Sequence, residues 1–371
     1  MPDMRFAPPN PLRIADRAGG LNSVSVRSYN ERLVLSLLLQ NTGITRLEIG
    51  EQSGLSAQTV SVIIRSLEQE GLIAKGEAQR GRVGPPTVPL SLNPDGAYSV
   101  GISIGHRQVD VVVVDFIGTM LSKFSIMQPM QSQNSNHPQF ISVVRQAIDR
   151  LPPEHRQRIA GIGIAVPGDK AELELAPASA HERFEPLREE IEKVFDYPVY
   201  VQNDITAAAG GESMFGSAKS LSDYLYFYLG AHLHSRLVLN HQIYNTNAAV
   251  SQDVGILKLE AALAAEGNNT HQLWERGIDW PDLGLAGAQW RSTLVQHMAH
   301  AVASVSQFIP LKTVVLSSYA PQSACRQACD ELEAAIPGLR AVAGAIEGPP
   351  KAIGAASLSF SSRFMVDQAL A

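Results

Sequence analysis

The chain has 371 residues, 45% of them hydrophobic and 18% charged, which is the balance of a globular protein with room for two or three cores. A formal net charge of −6 argues against a general binder of polyanions, and no apolar run reaches the length that spans a membrane. The first residues lack the apolar core of a signal peptide, so the cytoplasm is the expected location and membrane contact is not expected.

The charge is unevenly spread. Residues 1–93 hold ten Lys/Arg against eight Asp/Glu, leaving 20 against 28 for the remainder, so a slightly basic head precedes an acidic body. Residues 1–26 show no periodicity and are expected to form a flexible arm.

A first helix is expected from Ser28, where Ser28 and Glu31 form a capping-box pattern ahead of the stripe Leu33, Val34, Leu37 and Leu38. Thr45 and Glu48 repeat the pattern and open a second helix, expected to pack Leu47 and Ile49 and to stop near Gly54. Ser56 caps a third, with Val60, Ile63, Ile64 and Leu67 inside and Gln58, Thr59, Ser61 and Arg65 among its polar positions. Leu72–Ala74 and Val88–Leu92 then read as two strands around the Arg/Gly/Pro tip 80–86. Three helices and a basic hairpin in this order make a winged helix-turn-helix over 27–93. Gln58, Thr59, Ser61 and Arg65 are the candidates for the major groove of a double-stranded operator, and Lys75, Arg80 and Arg82 for phosphates or the minor groove.

Asn93-Pro94-Asp95-Gly96 is a turn signal and the expected boundary. Strands follow at 98–104, 109–115 and 121–127, then a helix at 138–150, a strand at 159–166, a helix at 185–195 and a strand at 199–202. That strand runs into Asn203-Asp204 and an Ala/Gly-rich helix ending at Gly216. A second unit has strands at 224–229 and 236–239, helices at 252–265 and 290–308, a strand at 313–316, a helix at 321–335, a strand at 340–343 and a helix at 350–360. A meander followed by strand–helix alternation, twice over, predicts two α/β lobes, 97–220 and 221–371, with a cleft between them. Cys325 and Cys329, four apart on a helical pattern with no matching Cys/His pair, read as packed thiols.

Several of these stretches carry a resemblance. The segments Gly81 to Pro94, Val100 to Gly105, Gly161 to Gly168, Val201 to Gly216 and Ala352 to Ala356 resemble, in order, the signatures of ROK proteins (repressor, open reading frame, kinase). The winged helix in front resembles the family's repressor branch. The resemblance implies a fold class of α/β type: an N-terminal winged helix-turn-helix, then a two-lobed actin-like ATPase body of the sugar-kinase kind. It also implies a DNA operator, a small sugar-like effector, and a homodimer or dimer of dimers.

In kinases of this kind the Asp after Asn is the base, and Asp204 holds that place. The phosphate apparatus departs from the pattern at three positions. Ser103 replaces an Asp, the loop 229–235 is bulky where Gly is usual, and Ser317-Ser318 replaces Gly-Gly. The family's zinc pattern is also broken: Asp253 and Ile256 stand where Glu and His are usual, no Cys occurs in 257–280, and His271 stands alone. His232 and His234 share a strand face but lack a third ligand, with His241 nearby in sequence. The expectation is therefore a regulator without enzymatic activity, metal or cofactor. Its ligand would meet Asn203, Asp204 and Asp253, with the loop Ser179–Arg183 completing the pocket. The alternative is an active ATP-dependent sugar kinase with a regulatory DNA-binding head. Helix capping is the plainer role for Asn203 and Asp204.

Overall fold

A computed structural model describes residues 29–78, 87–105, 107–127, 137–167, 180–244, 251–275 and 278–366. The expected arm 1–26 and the wing tip, with Arg80 and Arg82, lie outside these.

The head is built as its capping signals predict. Helices α1 (Tyr29–Gln40), α2 (Arg46–Ser53) and α3 (Ala57–Gln69) precede the antiparallel pair β1 (Ile73–Lys75) and β2 (Leu90–Leu92). Thr45 and Glu48 form the full capping box on α2. Gly54 closes α2 with φ 69°, a left-handed conformation that glycine takes without steric cost. Ser56 caps α3, accepting from the Thr59 amide. Ile49 is buried as expected, but Leu47 is exposed on the outer side of α2.

The body has two sheets of the same strand order. The first is β5 (Met120–Met127), β4 (Gln108–Asp115), β3 (Tyr98–Ile104), β6 (Ile159–Val166) and β7 (Val199–Asn203). The second runs β10 (Gln242–Tyr244), β9 (Leu233–Leu239), β8 (Tyr224–Leu229), β12 (Thr313–Ser318) and β13 (Arg340–Ala343), with β11 (Ser251–Gln252) also paired to β9. In each, an antiparallel meander leads and parallel strands follow on its other side. The connecting helices are α4 (His137–Asp149), α5 (Pro153–Arg156), α6 (Ala180–Phe195), α7 (Asp204–Phe215), α8 (Ile256–Ala265), α9 (Gly284–Ser306), α10 (Gln322–Ala335) and α11 (Pro350–Phe364).

Several boundaries differ from the expected ones. The helix placed at 252–265 starts at Ile256, because Ser251 and Gln252 pair with the open edge of β9 instead. β9 begins at Leu233, three residues early, since its pairing with β8 extends to the turn at Gly230. α6 starts at Ala180 and carries Pro186 inside it, so residues 180–183 are helix rather than loop. α9 starts at Gly284, not 290.

The last helix decides the architecture. α11 follows the second sheet in the chain, yet it packs on β3, β6 and α7 of the first. Its backbone is drawn so close that a methyl group on Gly101 would lie 2.0 Å from the Ala352 carbonyl oxygen, and one on Gly163 1.8 Å from that of Ala355. Its far end joins the head. Phe360, Phe364 and Met365 share one apolar cluster with Val34, Leu38, Ile64 and Leu67 of the winged helix. Cys325 and Cys329 are buried in the second lobe, and burial pushes both thiols up to about 12.

Candidate functional site

Two places carry candidate functional groups: the outer face of α3 and the junction of β7 with α7.

On α3, Val60, Ile63, Ile64 and Leu67 face inward, as the 3.6-residue period requires. Gln58 and Arg65 are exposed. Ser61 donates its hydroxyl to the Ala57 carbonyl at 2.8 Å, and the Thr59 hydroxyl lies 2.8 Å from that of Ser56. Both therefore have local partners that a DNA contact would have to share or replace. Val62, which the sequence reading passed over, is 61% exposed and lies beside Gln58 and Arg65 on the helix surface. An apolar side chain breaking a polar stripe was the available signal. Lys75 on the wing strand pairs with Glu68 of α3 at 2.5 Å, and both are partly exposed.

Besides the shared apolar cluster, polar contacts tie the head to the body: the Ser36 hydroxyl of α1 accepts from the Val366 amide at 3.1 Å, and two arginines bridge the parts. Arg32 of α1 donates to the carbonyls of Ser361, Ser362 and Met365 at the end of α11, at 3.3, 2.9 and 2.5 Å. Arg158, just before β6, donates to the carbonyl of Glu70, the C-cap of α3, at 3.3 Å and to that of Gly96 at 3.2 Å. Cations at helix C-termini are favoured there by the partial negative charge of the last carbonyls.

At the β7–α7 junction, Asn203 caps α7. Its Oδ1 accepts from the amides of Ile205 and Thr206 at 3.0 and 3.1 Å, and from the Arg236 guanidinium at 2.6 Å. Asp204 is buried, with one carboxylate oxygen accepting from the Ile205 amide at 2.8 Å and the other from the Lys351 ammonium of α11. That ammonium also stands 4.7 Å from the centre of the Tyr228 ring. Arg236 is buried and donates further to the Thr206 hydroxyl at 3.0 Å and the Ser235 carbonyl at 2.8 Å. Burial pushes its guanidinium below the ordinary value, and the Asp204 charge opposes that. Lys351 and Arg236 come from α11 and β9, and no local motif marks them in the sequence.

Asp253, expected at the same site, follows β11, which pairs with β9 at Leu233 and His234. It is exposed beyond β11, 3.8 Å from Lys258 and 3.9 Å from His232, and no hydrogen bond or ion pair joins it to Asn203 or Asp204 among the described residues. Of the expected loop 179–183, Ser179 lies outside the described residues.

The loop 229–235 and Ser317-Ser318, which depart from the kinase pattern in the sequence, are bonded within the second lobe and to α7. The Ile256 and Leu257 amides at the start of α8 donate to the carbonyls of Gly230 and Ala231, at 2.9 and 3.2 Å. Ser318 donates to the Leu229 carbonyl at 2.6 Å, and Ser317 to the buried Glu212 carboxylate at 2.8 Å. Glu212 also accepts from the Ser217 and Ala345 amides. His232 and His234 have ring centres 6.4 Å apart. Among the described residues no three His, Cys, Asp or Glu side chains cluster as a metal site would require, and no helix is long and apolar enough to cross a membrane.

Known proteins resemble the chain in both parts. Residues 99–268 match the ROK family model and residues 27–74 a winged helix-turn-helix DNA-binding model. The chain is 28% identical over 245 residues to the xylose repressor of Bacillus spizizenii, covering 63% of this chain and 62% of that one. It is 25% identical over 202 residues to the DNA-binding transcriptional dual regulator NagC of Escherichia coli, covering 53% and 49%. The matched regions thus span less than two thirds of these relatives' lengths. Among solved structures, a ROK family transcriptional regulator, described as a homologue of the E. coli MLC protein, superposes with a TM-score of 0.62 at 17% identity. It covers 91% of this chain and 96% of its own. A ROK family glucokinase from Streptomyces griseus gives 0.52 at 17%, covering 71% and 99%. These likenesses show the fold.

Proposed function

We propose that this chain, a ROK family domain behind a winged helix-turn-helix, is a sequence-specific DNA-binding transcriptional regulator of the cytoplasm. It acts as a repressor, and a small sugar-like ligand at Asn203–Asp204 sets its hold on the operator. The likeness to a xylose repressor and to a DNA-binding transcriptional dual regulator supports this reading. The observation that carries it is the span of α11. Lys351 at its first turn holds Asp204, and the carbonyls of its last turn and of Met365 hold Arg32 of the head. Between these ends α11 is pressed against backbone on several sides, so it moves as a rod. A ligand that competes for Asp204 shifts the rod, and the two head positions differ in DNA affinity only if the ligand prefers one of them.

The head docks as a dimer, with one α3 in each of two successive major grooves. Gln58 and Arg65 supply hydrogen bonds to base edges, and Val62 an apolar contact to a thymine methyl. Gel-shift titration of the Arg65→Ala variant against the chain's own upstream DNA tests this. The expected result is a loss of about 1–3 kcal/mol for the cognate site and little change for random DNA. Unchanged discrimination would remove Arg65 from the reading face. In the Arg32→Ala variant, operator affinity without ligand is expected to stay within a few-fold. The ligand's effect on that affinity should fall by most of a coupling of about 1–3 kcal/mol. An unaltered ligand response in the same gel-shift assay would mean that the Arg32 bonds carry none of the coupling between α11 and the head.

The kinase reading requires phosphate to be held at Ser103, the loop 229–235 and Ser317-Ser318, where this sequence departs from the kinase pattern. Titration calorimetry with Mg-ATP is therefore expected to give no heat of binding at millimolar nucleotide. Saturable binding, with phosphorylation lost in Asp204→Asn, would establish the kinase instead.

A further inference from the structure

Arg107, between β3 and β4 of the first lobe, has its partners in the second. Its Nη2 donates to Oε2 and Oε1 of Glu260 on α8, at 3.0 and 3.3 Å. Its guanidinium carbon stands 4.0 Å from the centre of the Trp274 ring, at the end of the 3-10 turn His271–Trp274. Both partners are fixed by their own lobe. The Thr270 hydroxyl donates to Glu260 at 3.4 Å, and Trp274 stacks on Tyr319, just past β12. Trp274 also packs on the apolar core of the second sheet, around Phe227 and Leu316, which is a separate cluster from that of the first, around Val111 and Ile164.

The place of this bridge matters. Arg236 of β9 on Asn203, and Ser317 of β12 on Glu212, join the lobes beside α7. β6 lies between β3 and β7 in the first sheet, and all three are parallel, so Ile104 and Asn203 end their strands on the same side of it. The chain therefore leaves β3 toward Arg107 two strand spacings, about 10 Å, from Asn203. Contacts at one place leave two bodies free to turn about it, as in hinged domain closure. A second contact set apart from the first fixes the angle. We infer that Arg107 is a clasp, which holds the two lobes together through Glu260 and Trp274 with no ligand between them. The ion pair is partly exposed, with side chains 42% and 22% accessible. Such a pair and a cation–π contact together bias an equilibrium between closed and open lobes by about ten-fold. A ligand that acts by parting the lobes has to break both contacts.

The test places two nitroxide labels on the full chain, at Lys123→Cys on β5 and Gln296→Cys on α9. Both positions are exposed, while Cys325 and Cys329 are buried. Double electron–electron resonance then reads the distance between the lobes. The doubly labelled parent is expected to give one narrow distribution. Arg107→Ala should add a longer distance and lower the closed-to-open ratio about ten-fold. Arg107→Glu sets a like charge against Glu260 and should lower the ratio further. Adding Glu260→Arg to Arg107→Glu re-forms the pair with its charges exchanged and should return most of the closed population. A parent distribution that is already broad, a distribution that neither Arg107 variant alters, or a charge reversal that Glu260→Arg does not rescue would each overturn the clasp. Neither DNA nor sugar enters the measurement. A regulator whose lobes open freely and a clasped chain that binds no DNA are therefore told apart.

Discussion

Gly163→Ala is expected to destabilise the native chain by about 3 kcal/mol or to prevent folding, as read from urea denaturation. The new methyl would sit 1.8 Å from the Ala355 carbonyl oxygen and 2.5 Å from its carbonyl carbon. Both belong to backbone, which cannot rotate away as a side-chain tip can. α11 cannot retreat either, because Gly101 and Gly354 hold it just as closely against β3 and α7. The helix could rise off the sheet only by opening the cluster that Phe360 and Phe364 share with the head. Gly210→Ala is the control. Its methyl would meet only Ser357 and Ile243 side-chain atoms at 3.7 and 3.8 Å, an ordinary contact. In a helix, Ala exceeds Gly by about 1 kcal/mol, so this variant should be neutral or slightly more stable. Equal effects from the two variants would refute the close packing of α11.

Lys351→Met is expected to cost about 3 kcal/mol at neutral pH, because it leaves the buried Asp204 carboxylate without its cation. The side chain keeps its length and its apolar stem, so packing against Tyr228 is largely retained and the loss reports the charge. Adding Asp204→Asn should restore most of it, since a neutral amide does not need the ammonium. The double-mutant cycle should therefore return a coupling of about 2 kcal/mol or more. Additive losses in denaturant titrations would mean that the pair contributes nothing and that α11 is held by packing alone.

These expectations turn on contacts that the sequence could not display. The head was legible because its signals are local. The Thr45–Glu48 capping box, the Ser56 cap and Gly54 all act within a few residues, and the buried face of α3 follows from periodicity. Leu47 went astray because a single apolar residue in a short helix carries too little periodic information to fix its side. Most strands of both sheets were legible for the same reason as α3, but the short β10 and β11 were not read from the sequence. Their boundaries slipped where a tertiary contact outweighed local preference, as when Ser251 and Gln252 joined β9 instead of starting a helix.

The candidate site was legible in part. Asn203 and Asp204 stand at the strand–helix junction where the family pattern puts them. Asp253 makes no hydrogen bond or ion pair with them among the described residues; the turn after β11 sets it near His232 and Lys258. Lys351 was invisible as a site residue. It lies 147 positions from Asp204, on a helix whose local pattern marks only its apolar face. Arg236 is 33 positions from Asn203, on an adjacent sheet.

By itself the sequence determined most helices and strands and the winged helix, which rest on short-range caps, turns and periodicity, and carried the body's resemblance in short motifs. Only the tertiary structure decided that the last helix leaves the second lobe for the first, holds Asp204 at one end and grips the head at the other. Small residues make that course possible, since backbones approach this closely only where no side chain stands between them. Gly and Ala at 101, 163, 352, 354 and 355 permit several packings in the abstract. Which one forms is settled by long-range burial and by one ion pair.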